Sequence, residues 1–208
     1  MKNHKLSKLL LASVISSLTV PTLGQQLEEV VVTASKRAEN LQDIPQAVTA
    51  FSSERLVELG IVETSDLMGA IPNIQVTSAY GRTQPNFSIR GISVANEFSA
   101  ATASPVGVYV DEVYQSFRAS HGQQLFDLES VEVLRGPQGT LYGRNTTGGA
   151  VNVNTVKPSL EEGMSGFLNV RLGNYSYADF TGAVEATIIP DVLGVRLSGA
   201  VSEADGYV

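Results

Sequence analysis

Residues 131–143, Val-Glu-Val-Leu-Arg-Gly-Pro-Gln-Gly-Thr-Leu-Tyr-Gly, constrain the fold more than any other segment of the chain. A short apolar, β-branched run passes straight into a cluster holding Gly136, Pro137, Gly139 and Gly143. Such a run requires a strand that ends in tight turns, because glycine reaches positive φ without steric cost and proline presets the turn. Arg135 stands at the junction, so a fixed positive charge lies among close-packed backbone. A nucleotide cradle is excluded, since no Gly-Lys-Ser/Thr occurs and Arg144-Asn145 stands where a phosphate-binding lysine would be needed.

Residues 1–24 read as a secretory signal outside the fold. Lys2, Lys5 and Lys8 form a basic start, residues 9–20 an apolar run, and Thr22 and Gly24 a small-residue cleavage site before Gln25. The apolar run falls short of the ~20 residues that cross a bilayer as a helix. The chain is therefore expected to leave the cytoplasm.

The 208 residues carry a net charge of −7, and losing three signal-peptide lysines makes the remainder more acidic still. That balance gives no electrostatic footing for nucleic acid. With no cysteine there is no disulfide framework, thiolate metal site or thiol nucleophile. His4 belongs to the signal and leaves His121 alone, so two-histidine metal patterns and catalytic triads lack their parts. No G-x-S-x-G elbow occurs. These exclusions describe a protein that is not an enzyme and needs no cofactor.

Val30, Val31, Val32 and Thr33 are four β-favouring residues behind two acids and ahead of a polar, charged stretch. They read as an unpaired strand able to bind by strand addition; an ordinary first strand is the plain alternative. Residues 48–51 form a strand, and Ser52 or Ser53 caps a helix carrying Leu56, Val57 and Leu59 that Gly60 stops. Thr64 or Ser65 caps a helical turn over residues 66–70, ended by Pro72 and Asn73, and the apolar residues of both helices are assigned to the core. Residues 87–92 form a strand with Arg90 inside it. Residues 93–105 make a loop whose length marks it as functional or mobile. The strand pattern resumes over 106–113, with Asp111 beginning a turn, and a polar loop follows over 114–122, where His121 reads as solvated. Residues 125–128 are a helical turn leading into a strand at 130–134, and residues 144–153 a polar turn and closing strand. Arg82, Tyr114, Phe117, Arg118 and His121 suit contacts with a ring-containing or anionic ligand, with aromatic packing as the alternative for the rings.

From residue 164 the pattern changes. Leu168, Val170 and Leu172 alternate with Phe167, Asn169 and Arg171. Phe180, Gly182, Val184, Ala186 and Ile188 alternate with Asp179, Thr181 and Glu185, and Val195, Leu197, Gly199 and Val201 with Arg196, Ser198 and Ser202. One apolar and one polar face over strands of ~10 residues is the pattern of a lipid-facing barrel wall around a wet lumen. A soluble meander with its apolar face on a core is the alternative.

In its motifs the chain resembles the TonB-dependent outer-membrane receptors. Glu132-Val133-Leu134-Arg135-Gly136-Pro137 matches the E-V-L-R-G-P of their plug domain, Ile89-Arg90-Gly91 its I-R-G, and Val108-Tyr109-Val110-Asp111 its V-Y-V-D. Tyr142-Gly143 and Gly148-Gly149-Ala150-Val151-Asn152 follow in the family's order. Glu29, Val30, Val31, Val32, Thr33 and Ala34 resemble the TonB box, which pairs with a strand of the energy-transducing protein TonB. The resemblance spans residues 28–208. It implies an α+β fold: a small mixed plug domain with a short β-sheet and helices, then the first antiparallel strands of a transmembrane β-barrel of roughly 22 strands. The implied organisation is a signal peptide over 1–24, TonB box and flexible segment over 25–46, plug over 47–158 and about three barrel strands over 159–208. Three strands cannot close a barrel whose backbone groups must all be paired in lipid, so the chain is expected to be an N-terminal fragment or a truncated product.

The resemblance further implies a transporter of the bacterial outer membrane. It would bind a scarce nutrient, a ferric siderophore or similar large ligand, on outward plug loops and import it by energy-coupled plug rearrangement. Its partners would be TonB at the box, the extracellular ligand and outer-membrane lipid, with no nucleic acid and no cofactor. A truncated plug acting as a periplasmic or surface binding module is the other reading. In the family, arginines at the positions of Arg90 and Arg135 pair with glutamates on the barrel wall and latch the plug. That role agrees with the cost of leaving a buried guanidinium unpaired.

Overall fold

The computed structural model describes residues 31–33, 36–37, 39–80, 84–99, 102–122, 124–161 and 163–205. The expected signal peptide lies outside the described residues, as do Glu29, Val30, Ala34 and Arg82, and of Val31 only the backbone is described. In chain order the elements are β1 (Val31–Val32), β2 (Glu39–Asn40), β3 (Val48–Ser52), α1 (Ser53–Glu58), α2 (Leu67–Ala70), β4 (Ile74–Thr77) and β5 (Asn86–Ile89). Then follow β6 (Val106–Val110), β7 (Val113–Tyr114), β8 (Leu128–Arg135), α3 (Gly139–Tyr142), β9 (Gly149–Thr155), β10 (Met164–Leu172), β11 (Ala178–Ile189) and β12 (Leu193–Glu203).

A five-stranded mixed sheet, ordered β3-β8-β9-β6-β7, organises the first part of the chain. The β6–β9 pair is parallel and the others antiparallel. Because side chains alternate across a strand, the sheet has two distinct faces. One face presents Val131, Val133, Val151 and Val153 to Leu56 of α1, Leu67 of α2 and Phe87 and Ile89 of β5. Phe87, Leu67 and Ile89 are fully buried, and each side chain contributes ~1.5–3 kcal/mol by leaving water. The opposite face presents Tyr109, Leu134 and Ala150 to Val32, Ile44 and Tyr142.

The glycine cluster folds as tight turns. Gly136 has φ 111° and Gly149 φ 154°. A β-carbon on Gly149 would stand 2.3 Å from the carbonyl oxygen of Leu134, so only glycine lets the start of β9 lie beside the end of β8. Gly136 N–H donates to Gly148 O at 3.0 Å and Gln138 N–H to Thr146 O at 2.9 Å, stitching the two turns together. The run after Pro137 closes as the single helical turn α3.

Several local expectations change. Of the two serines expected to cap α1, Ser52 does so, its hydroxyl accepting from Arg55 N. Glu63, not Thr64 or Ser65, caps the second helical segment in a reciprocal capping box with Asp66; Thr64 is buried and donates to His121 O at 2.7 Å. Val57, Leu59 and Met68 are exposed, not core, because helices this short bury only one side against the sheet. Arg90 lies beyond its strand, in the left-handed region at φ 53°, in a turn that brings Ile89 back against Ile92. Residues 125–127 are not helical: Asp127 is left-handed at φ 53° and β8 begins at Leu128.

The strands β10, β11 and β12 form a separate antiparallel sheet. Its outer face carries Leu168, Val170, Phe180, Val184, Leu197 and Val201, all exposed. Asp179, Thr181 and Ala183 on the inner face are buried. An apolar face turned to solvent while polar residues face inward inverts the soluble arrangement and matches a lipid-facing wall. No helix among the described residues is long and apolar enough to cross a membrane, which says nothing of a β-barrel.

Candidate functional site

The N-terminal strand is docked, not unpaired. Val31 and Val32 pair with Asn40 and Glu39 in a two-residue ladder, and Lys36, at φ 57°, turns the chain with its N–H on Thr33 O at 2.7 Å. The side chain of Val32 is 1% exposed among Ile44, Leu134, Ala150 and Tyr142. The ammonium of Lys36 sits 5.6 Å from the Tyr142 ring centroid. Burial, joined by the charge of Glu132, pushes the Tyr142 phenol above its ordinary value. Thr33 donates twice to Glu132 Oε1, from its N–H at 2.6 Å and from its hydroxyl at 3.0 Å. Asn152 and Asn154 both donate to the Thr33 hydroxyl oxygen, at 3.3 and 3.2 Å.

The Arg90 guanidinium reaches the glycine turn that follows Arg135. A β-carbon on Gly136 would stand 3.4 Å from Arg90 Nη1, so the Arg90 guanidinium lies over the residue that follows Arg135. Arg90 is exposed and Arg135 half-buried. Among the described residues neither has an ion pair, and Arg135 Nε is buried without an acceptor.

A different ion pair joins the first part of the chain to the three-stranded sheet. Arg196 of β12 grips Asp127 in a fork, with Nε 2.9 Å from Oδ2 and Nη2 on Oδ1. Its Nη1 donates to Glu185 Oε2 at 2.8 Å. The Asp127 side chain is 5% exposed and that of Arg196 12%. The hydrogen bonds from Arg196 hold the Asp127 carboxyl below its ordinary value, against burial, which raises it.

The loop residues expected to meet a ligand divide. Arg118 is buried and acts as an internal tie: Nη1 donates to Asn86 Oδ1 at 2.7 Å and Nη2 to the carbonyls of Glu97, at 3.2 Å, and Ser99. His121 is also buried, with Nε2 donating to Gln115 O at 2.9 Å, and is not a solvated loop histidine. Burial holds its pKa below the ordinary value and the charge of Arg118 adds to this, while the Gln115 carbonyl opposes it. These two side chains were legible as polar loop residues, but packing turned them inward. Tyr114 ends β7, half-buried, its hydroxyl accepting from Asn145 Nδ2 at 3.0 Å and its ring 5.5 Å from that of Tyr109. Phe117 remains exposed at 61%. Tyr80 and Phe98, which the sequence had not singled out, form an exposed edge-to-face pair 6.4 Å apart, with Tyr80 OH donating to Phe98 O.

Sequence reasoning also passed over Glu132, Asn152 and Asn154. The signal was present: Val-Glu-Val and Val-Asn-Val-Asn place polar residues at every second position of two otherwise apolar strands, hence on one face of each. Asp127 and Arg196 gave no such signal, since 69 residues separate them.

Comparison with known proteins agrees with this architecture. Residues 40–150 match the model of the TonB-dependent Receptor Plug Domain. The pesticin receptor of Yersinia pestis is 34% identical over 66% of this chain and 20% of its own length. The vitamin B12 transporter BtuB of Vibrio vulnificus is 27% identical over 97% of this chain and 33% of its own. Among solved structures, the ferric yersiniabactin uptake receptor FyuA of Yersinia pestis superposes with a TM-score of 0.63 at 29% identity, covering 74% of this chain and 24% of that one. The chain thus spans between a fifth and a third of these relatives, which are receptors and transporters and not enzymes. With the plug model matched over more than half its length, a mixed plug sheet and the first wall strands in place, this chain belongs to the TonB-dependent receptor family.

Proposed function

We propose that this chain is the N-terminal plug portion of an outer-membrane transporter. The transporter binds a scarce, large nutrient ligand of the ferric siderophore kind and imports it by TonB-driven rearrangement of the plug. The observation that carries this reading is the state of residues 31–33: their two-residue ladder is with β2 alone, and one buried valine, Val32, and one threonine, Thr33, hold them to the plug sheet. A strand held so lightly can be released with its backbone groups open for pairing, as strand addition requires. The division into signal peptide, box with flexible segment, plug and wall over 1–24, 25–46, 47–158 and 159–208 belongs to the same reading. The exposed apolar face of β10–β12 meets outer-membrane lipid. Tyr80, Phe98 and Phe117, with Arg82 in the same stretch as Tyr80, meet the ligand, and Arg90 and Arg135 latch the plug to carboxylates of the closed wall.

The test is Val31→Pro in the complete receptor. Proline removes the N–H that a pairing strand must donate. Ligand affinity should stay within about twofold while energy-dependent uptake and capture by the periplasmic domain of TonB are both lost. Uptake at the parental rate would refute the assignment of residues 29–34 as the TonB box.

A further inference from the structure

β8 and β9 are apolar strands, yet beneath residues 31–33 they present Glu132, Asn152 and Asn154, with Glu132 opposite Asn152 in register. Glu132 is 0% exposed and among the described residues has no cationic partner. A carboxylate in that position persists only where hydrogen-bond donors surround it. Four donors converge: two from Thr33, Asn154 Nδ2 at 3.2 Å on Oε1, and Asn152 Nδ2 at 3.4 Å on Oε2. Asn154 is itself braced by Ser130 Oγ at 2.9 Å. Half of the donors to a buried carboxylate thus come from a single residue of the N-terminal segment.

We propose that Glu132, Asn152 and Asn154 form a docking site for the chain's own residues 31–33, with Thr33 as its ligand, and that the site is built to be vacated. When Thr33 leaves, water replaces its two donors at a carboxylate, a group that water solvates well, and the asparagines stay in place. An apolar cradle of the same extent would expose all of its surface on release. Here the apolar share is confined to Val32 among Ile44, Leu134, Ala150 and Tyr142. Glu132 therefore positions the segment and sets how readily it leaves. This deepens the reading of residues 29–34 as the TonB-pairing handle and rests on it, but docking can be read out without TonB.

The chain has no cysteine, so Val32→Cys is a single reporter that a maleimide reaches only when the segment has left. In the full chain in detergent micelles, Glu132→Ala and Thr33→Val should each speed labelling about tenfold or more, and Thr33→Ser should return it to the slow rate. A second reporter, Val131→Cys, on the other face of β8 and also 0% exposed, should label slowly throughout. Unchanged labelling at Val32→Cys overturns the proposal, as does an equal rise at Val131→Cys, which would make Glu132 a support of the whole sheet. Faster labelling of a segment that the TonB periplasmic domain fails to capture upholds the docking site and removes the TonB reading alone.

Discussion

The Asp127–Arg196 fork gives the plug–wall contact a distinctive energetic asymmetry. Replacing Asp127 with Asn keeps the shape of the side chain and leaves Arg196 its second carboxylate, Glu185. The loss is then that of charge-assisted hydrogen bonds, ~1.5 kcal/mol. Replacing Arg196 with Met instead strands the Asp127 carboxylate, whose side chain is 5% exposed. Removing one partner of a buried pair costs about 3–5 kcal/mol. A cavity of about 190 Å³ beside the pair, lined in part by Gln124, Arg171 and Asp179, is polar enough to admit water, which places the cost at the low end, ~3 kcal/mol. The double variant Asp127→Asn, Arg196→Met strands no charge at Asp127, so it should be more stable than Arg196→Met alone. Hydrogen exchange can follow the opening of this junction at Val156, whose N–H donates to Asp127 O at 3.2 Å. Exchange there should speed roughly tenfold in Asp127→Asn and by about two orders of magnitude in Arg196→Met, with partial recovery in the double variant. Additive losses, with the double variant worse than either single one, would refute the reasoning. The pH dependence has a definite sign as well. The Asp127 carboxyl is depressed, chiefly by hydrogen bonds from Arg196. Its contribution is present above the unfolded value near 3.9 and disappears as pH falls through the lower folded value. Protection at Val156 should therefore be intact at pH 5 and fail only well into the acid range.

Two further outcomes are expected. Arg90→Glu with Arg135→Glu in the complete receptor should increase leakage of large antibiotics, because neither arginine has an ion pair among the described residues and Arg90 lies over the glycine that follows Arg135; unaltered leakage would remove them as the latch. His121 is buried, with its pKa held low. Below about pH 6.5 the unfolded chain takes up a proton that the folded chain resists, so stability is full above that value and falls with acidification. His121→Gln should flatten the melting temperature between pH 7 and pH 5, and a slope equal to that of the parent would assign the acid sensitivity elsewhere.

What the sequence determined by itself was whatever depends on neighbours along the chain. Period-two alternation set the outer and inner faces of β10, β11 and β12, and the glycines around Pro137 set the turns, because dihedral freedom and side-chain alternation are local properties. The motifs around Arg90, Asp111 and Arg135 identified the family for the same reason. The tertiary structure decided which charged and polar groups meet. Glu132 reaches Thr33 across 99 positions and Arg196 reaches Asp127 across 69, through strand register and sheet packing that no local pattern encodes. Arg118 and His121 look like solvated loop residues along the chain and are interior ties in space. A loop's polarity does not reveal whether its side chains face water or a neighbouring carbonyl.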